Sequence, residues 1–149
     1  MSDSLADLDK AFEAMMEKFP EKRMELVKNS GEKMHKKVLR NIDTDTKEET
    51  GRLRDACYLA IGSEGGYAAV RNDHRKAPHA HLVEFGHKLV KGAKTKEGKF
   101  GQTVKVKGSG RVIGWVNGKH MYRNALNEME SELTQDAERM IDSLVGELF

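Results

Sequence analysis

Apolar residues at three- and four-residue spacing occupy both ends of this chain, and they constrain its fold more than any other feature. Near the start, Leu5, Leu8, Phe12, Met15 or Met16 and Phe19 fall on one face of a helix. Beyond Pro20 the stripe resumes out of phase at Met24, Val27, Gly31, Met34 and Val38. Ser4 followed by Asp7 resembles an N-cap with an acid in the first turn. A proline inside a helix removes one hydrogen bond and clashes with the preceding turn. The pattern therefore predicts a kinked helix, or two consecutive helices, ending near Ile42. At the other end Leu126, Met129, Leu133, Ala137, Met140, Leu144 and Leu148 keep the same spacing. They predict a final helix from about residue 119, on the order of 45 Å long at 1.5 Å per residue.

Between these stripes the punctuation changes. Thr46 with Glu49 forms a second capping box, and the apolar run from Leu53 predicts a short helix giving way to a strand around Cys57. The glycine cluster from Gly62 to Gly66 is a turn, with Tyr67 to Arg71 as the returning strand of a hairpin. Pro78 suits the first turn of a short helix through Phe85, with Gly86 as its stop. From His87 to Gly110 the chain is rich in Lys and Gly and has few apolar anchors to offset the entropy of ordering. A mobile basic loop over 88–110 follows, although Thr103 to Lys107 and Arg111 to Val116 can pair as a hairpin arm through Gly108 and Gly110. The sum is an α+β fold in a single domain spanning 1–149. A long kinked N-terminal helix region and a long C-terminal helix pack on a small antiparallel sheet.

Composition narrows the setting. No apolar run approaches the roughly 20 residues of a membrane span, so no membrane partner is expected. The polar N-terminus lacks a signal-peptide profile. The lone Cys57 suits synthesis in a reducing cytoplasm. The net charge of +2 is unevenly spread. Between Lys88 and Arg111 eight basic residues face the single acid Glu97, a surplus of seven, which leaves −5 on the remainder. Such a segregated stretch has three readings: a solvated loop, a surface docking on an acidic protein neighbour, or a nucleic-acid contact. Only Phe100 and Trp115 stand near it as aromatics, which gives base stacking little support.

Catalytic patterns are wanting. His74, His79, His81, His87 and His120 invite a metal, and His81 lies one turn from Glu84. HExxH spacing is absent, HxxEH fails because Phe85 follows Glu84, and Cys57 has no second cysteine. No metal or cofactor is expected. There is no Gly-x-Ser-x-Gly; Ser30, Ser63 and Ser109 have no recognisable base nearby; and the glycine clusters lack the context of a phosphate loop. The chain reads as a non-enzyme.

Three segments carry a resemblance. They are Thr50-Gly51-Arg52-Leu53-Arg54 with Asp55 and Ala56, the stretch Ala77 to Gly86 ending in Val83-Glu84-Phe85-Gly86, and Met121 to Leu126 at the start of the last helix. In order and separation they resemble the tail-component family of tailed phages, also described as tail-completion or head–tail joining (neck) proteins. The chain differs from the family's usual pattern at His87, where Thr is common, and before the final helix, where a Pro-aromatic pair is common. The resemblance implies a structural virion protein in the tail or neck region, made in the bacterial host cytoplasm. It would form a homo-oligomeric ring that completes the tail or joins it to the head connector. Partners would be further copies of itself and neighbouring connector, tail-terminator or tail-tube proteins, with transient contact with packaged DNA.

Candidate interaction residues are Glu84 and Phe85 in the signature and Lys94, Lys96 and Lys99 in the basic stretch. Glu84 is expected either partly buried and paired with Arg52 or Arg54, or as an exposed carboxylate. Two other classes stay open: a small DNA-binding protein or phage-associated nuclease using the basic loop and histidines, and a toxin–antitoxin or adaptor module using the helices alone.

Overall fold

The computed structural model describes residues 4–46 and 51–147. In chain order the elements are α1 (Ser4–Asp45), α2 (Arg52–Ala56), β1 (Cys57–Ile61), β2 (Ala68–Asn72), α3 (Ala80–Phe85), β3 (Gly86–Lys91), β4 (Thr95–Glu97), β5 (Thr103–Lys105), β6 (Arg111–Asn117) and α4 (Met121–Gly146). Two long helices with small antiparallel sheets make the α+β architecture that the spacing predicts. The sheet is divided into three two-stranded ladders, β1–β2, β3–β6 and β4–β5. The chain forms two compact units, one joining the part up to Ala77 with the part from Met121 onward, the other Pro78–His120.

In the first unit α1 runs unbroken through Pro20, so of the two alternatives, one helix or two, the single helix forms. One lost hydrogen bond is small against the turns that continue on both sides of the proline. α4 lies antiparallel to α1, as a ladder of ion pairs shows. Lys18 meets Glu147 at 2.7 Å, Lys33 meets Asp136, Lys37 meets Glu132 at 2.8 Å, and Arg40 meets Glu128 at 2.5 Å. All the bases of this ladder come from α1, and all the acids from α4 or the residue that follows it. Beneath it Val38 and Ile42 of α1 and Met121, Ala125, Met129 and Leu144 of α4 are buried. Burying each large side chain contributes about 1.5–3 kcal/mol, more than an exposed ion pair. The N-terminal half of the α1 stripe is not covered in the same way: Leu5, Phe12 and Met16 are exposed, Met16 at 73%.

The changeover from α2 to β1 at Cys57 and the hairpin returning through β2 match the spacing reading. Gly31 lets α1 lie against this hairpin, since a Cβ there would sit 2.6 Å from the Cβ of Ala68. Of the second capping box only Thr46 falls among the described residues. Its hydroxyl donates to the Ile42 carbonyl at 2.6 Å, where α1 ends. Leu148 of the C-terminal stripe also lies outside the described residues, and α4 begins at Met121, two residues later than expected.

The second unit corrects the loop expectation. Most of 88–110 is paired strand or tight turn, because backbone ladders form where side chains bury little. The expected pairing of 103–107 with 111–116 is not what forms. β3 pairs with β6, and β4 with β5 nested inside, which makes one two-stranded arm.

Candidate interaction surface

The arm starts from a backbone clasp. α3 ends at Gly86, whose N–H donates to the Leu82 carbonyl. The next two carbonyls of α3 are taken by the far end of the arm: Lys119 N–H donates to Val83 at 2.8 Å and His120 N–H to Glu84 at 3.1 Å. The carbonyls that a helix end leaves open are thereby satisfied. Gly86 has φ +81° and ψ 173°, a region open essentially to glycine alone. Val83-Glu84-Phe85-Gly86 thus acts through its main chain, closing α3 onto the β3–β6 ladder. Gly118 and the residues that follow it, just before the last helix, are the other half of this clasp.

Glu84 is buried, whereas Phe85 beside it is 62% exposed. Arg54 forms an ion pair with Asp43. Lys94 precedes β4, Lys96 lies on it, Lys99 lies in the turn after it, and all three side chains are exposed. The structure therefore separates the candidate residues into a buried carboxylate at the root of the arm and a basic tip. Ser109 ties that tip together, its Oγ donating to the Val106 carbonyl at 2.7 Å and accepting from the Lys94 N–H at 3.0 Å.

Between root and tip the arm is apolar on its surface. Every residue of β6 is exposed, including Val112, Ile113, Trp115 and Val116. Lys88 pairs with Trp115 and Leu89 with Gly114, but Val90 then pairs with Val112, so a bulge falls at Ile113. Directly paired residues share a face, and the bulge shifts the alternation by one. Val90 and Val112 consequently join Lys88 and Trp115 on one face. Sequence reading placed a hairpin near here but missed this face, because it arises from a bulge that pairing alone reveals.

Of the buried apolar residues only Ala80 belongs to Pro78–His120. That unit holds nine Lys or Arg against Glu84 and Glu97, a surplus of seven, and leaves −5 on the rest of the chain.

His74, His79 and His81 are exposed. His87 and His120 each keep a buried Nδ1 without a hydrogen-bond partner among the described residues. Among the described residues no three His, Cys, Asp or Glu side chains gather in a metal-holding group. Burial pushes the Cys57 thiol above its ordinary pKa, which disfavours the reactive thiolate. Among the described residues no helix is long and apolar enough to cross a membrane. No protein-family model, curated protein or solved structure matches the chain.

Proposed function

We propose that the protein is a structural component of a tailed phage or phage-like particle, acting at the head–tail interface as a homo-oligomeric ring that completes the tail or joins it to the head connector. The observation that carries this reading is the arm. A unit of this size that buries almost no apolar side chain lacks the usual means of holding itself together. A two-stranded ladder alone is marginal in water. Exposed Val112, Ile113 and Trp115 on such a ladder make sense where neighbours cover them. The resemblance of Val83-Glu84-Phe85-Gly86 and its flanking segments to tail-component proteins supports the same reading.

The test is deletion of the gene from a particle-producing lysogen, followed by electron microscopy and add-back of purified protein. Separate heads and tails, or tails of abnormal ends, restored to whole particles by the added protein, are expected. Normally joined particles in the deletion would overturn the proposal.

A further inference from the structure

We propose that the β3–β6 arm of one copy docks along the flank of α4 in a second copy, and that this contact propagates the ring. The inference rests on the homo-oligomeric reading above and names its interface. On α4, Leu133, Ala137 and Ile141 stand four residues apart and form one row. Thr134, Glu138 and Asp142 form the adjacent row, and the two rows line a shallow open hollow. Leu133 and Ile141 are 44% and 46% exposed, although their spacing is that of a packed helix face. Glu138 and Asp142 belong to no ion pair among the described residues, whereas Glu128, Glu132 and Asp136 of the same helix, and Glu147 just after it, are engaged by α1.

The arm offers the complement. Val112 and Trp115 share a face with Lys88, so an apolar patch lies beside a base, as on α4 an apolar row lies beside an acidic one. Lys91 and Arg111, paired with each other one step beyond Val90 and Val112, lie on the opposite face and add two positive charges to the same ladder. The arm unit carries a surplus of seven positive charges and the remainder of the chain is net negative. Like charge disfavours arm against arm; opposite charge favours arm against body. A contact between two different patches of the same chain is heterologous, and such contacts close into rings where the rotation between copies closes.

Sedimentation velocity on the full chain at low salt tests this by charge exchange. The arm variant is K88E/K91E/R111E and the body variant E138K/D142K, all at exposed positions, with circular dichroism and melting confirming the fold. The wild type should self-associate beyond a dimer. Each variant alone should associate at least tenfold more weakly, and an equimolar mixture should regain wild-type association, because acidic arms then meet basic bodies. A wild type that stays monomeric at every concentration, variants that associate normally, or a mixture no stronger than its components would each overturn the docking. So would an arm variant that keeps self-association but loses binding to a duplex DNA probe, which would assign the arm to nucleic acid. These outcomes are separable from the deletion experiment: particles can depend on the protein while its copies meet through another surface.

Discussion

Gly86 and Gly118 each occupy the space that the other's side chain would need. A Cβ on Gly86 would lie 2.7 Å from the Gly118 nitrogen, and a Cβ on Gly118 would lie 2.8 Å from the Gly86 nitrogen and 2.2 Å from the Glu84 carbonyl oxygen. The obstructing atoms are backbone, which cannot swing aside as a side chain can.

Gly118→Ala should therefore open the clasp. A contact of this kind forces a backbone shift, and we expect a loss of about 1–3 kcal/mol, the usual range for overpacking. Gly114→Ala is the matched control, because nothing lies within 4 Å of the Cβ it would add. Amide exchange across β3 and β6 should quicken in the first variant and stay unchanged in the second. Equal protection in both would show that the close approach is not needed.

Leu144 and Leu133 belong to the same periodic stripe, yet Leu144 is 1% exposed and Leu133 44%. Leu144→Ala should cost about 2–5 kcal/mol, as cavity-forming core truncations do. Leu133→Ala should cost under about 1 kcal/mol. Denaturant midpoints measure both directly. A large loss at Leu133 would mean that the flank of α4 is packed within the monomer.

The ladder between α1 and α4 should shape the pH profile of stability. The hydrogen bond from Arg40 holds Glu128 below the ordinary 4.5, and that from Lys18 does the same for Glu147. Hydrogen bonds to Glu147 and Glu132 raise Lys18 and Lys37 above 10.5. The carboxylate contribution is present above 4.5 and is lost as pH falls through the lower folded values. The amine contribution is present below 10.5 and is lost as pH rises through the higher folded values. Melting temperature should be flat between these limits and should fall modestly beyond each. The acid limb should flatten in molar salt, since these groups are exposed. An acid limb unchanged by Glu128→Gln and Glu147→Gln together would assign it to other groups.

Replacing Lys94, Lys96 and Lys99 with Glu should leave melting within about 1 kcal/mol of wild type, because exposed charges contribute little to monomer stability. Particle yield should fall, since complementary fields govern association. Unchanged yield would make the tip of the arm a solvated turn.

What could be read from the sequence was local. The turn from Gly62 to Gly66, the stop at Gly86 and the two periodic stripes each depend on neighbours within a few residues, and each appears where expected. Pairing along the arm was not legible. The glycines at 108 and 110 suggested a hairpin between the strands that they separate, but those strands pair elsewhere. The clasp was equally hidden, because Gly86 and Gly118 are 32 positions apart and neither spacing nor composition links them. For Glu84 the sequence left burial and exposure open, and the structure buries it; exposure of Phe85 ran against its type.

The segregation of bases on α1 and acids along α4 makes the helix pair attractive but only partly selective for register. Displacing α4 by four residues would set Lys33 opposite Glu132 and Lys37 opposite Glu128, so two of the four pairs would be replaced by new ones, while Lys18 and Arg40 would face Ser143 and Asn124. Choice among these positions falls to groups that tolerate no substitute. Buried Asn41 donates its amide to the Met121 carbonyl at 3.0 Å, and a one-turn slip would leave that amide dry and unanswered, at a cost of about 1–3 kcal/mol. The long-range charges draw the helices together, and the buried carboxamide helps the apolar core decide where they stop.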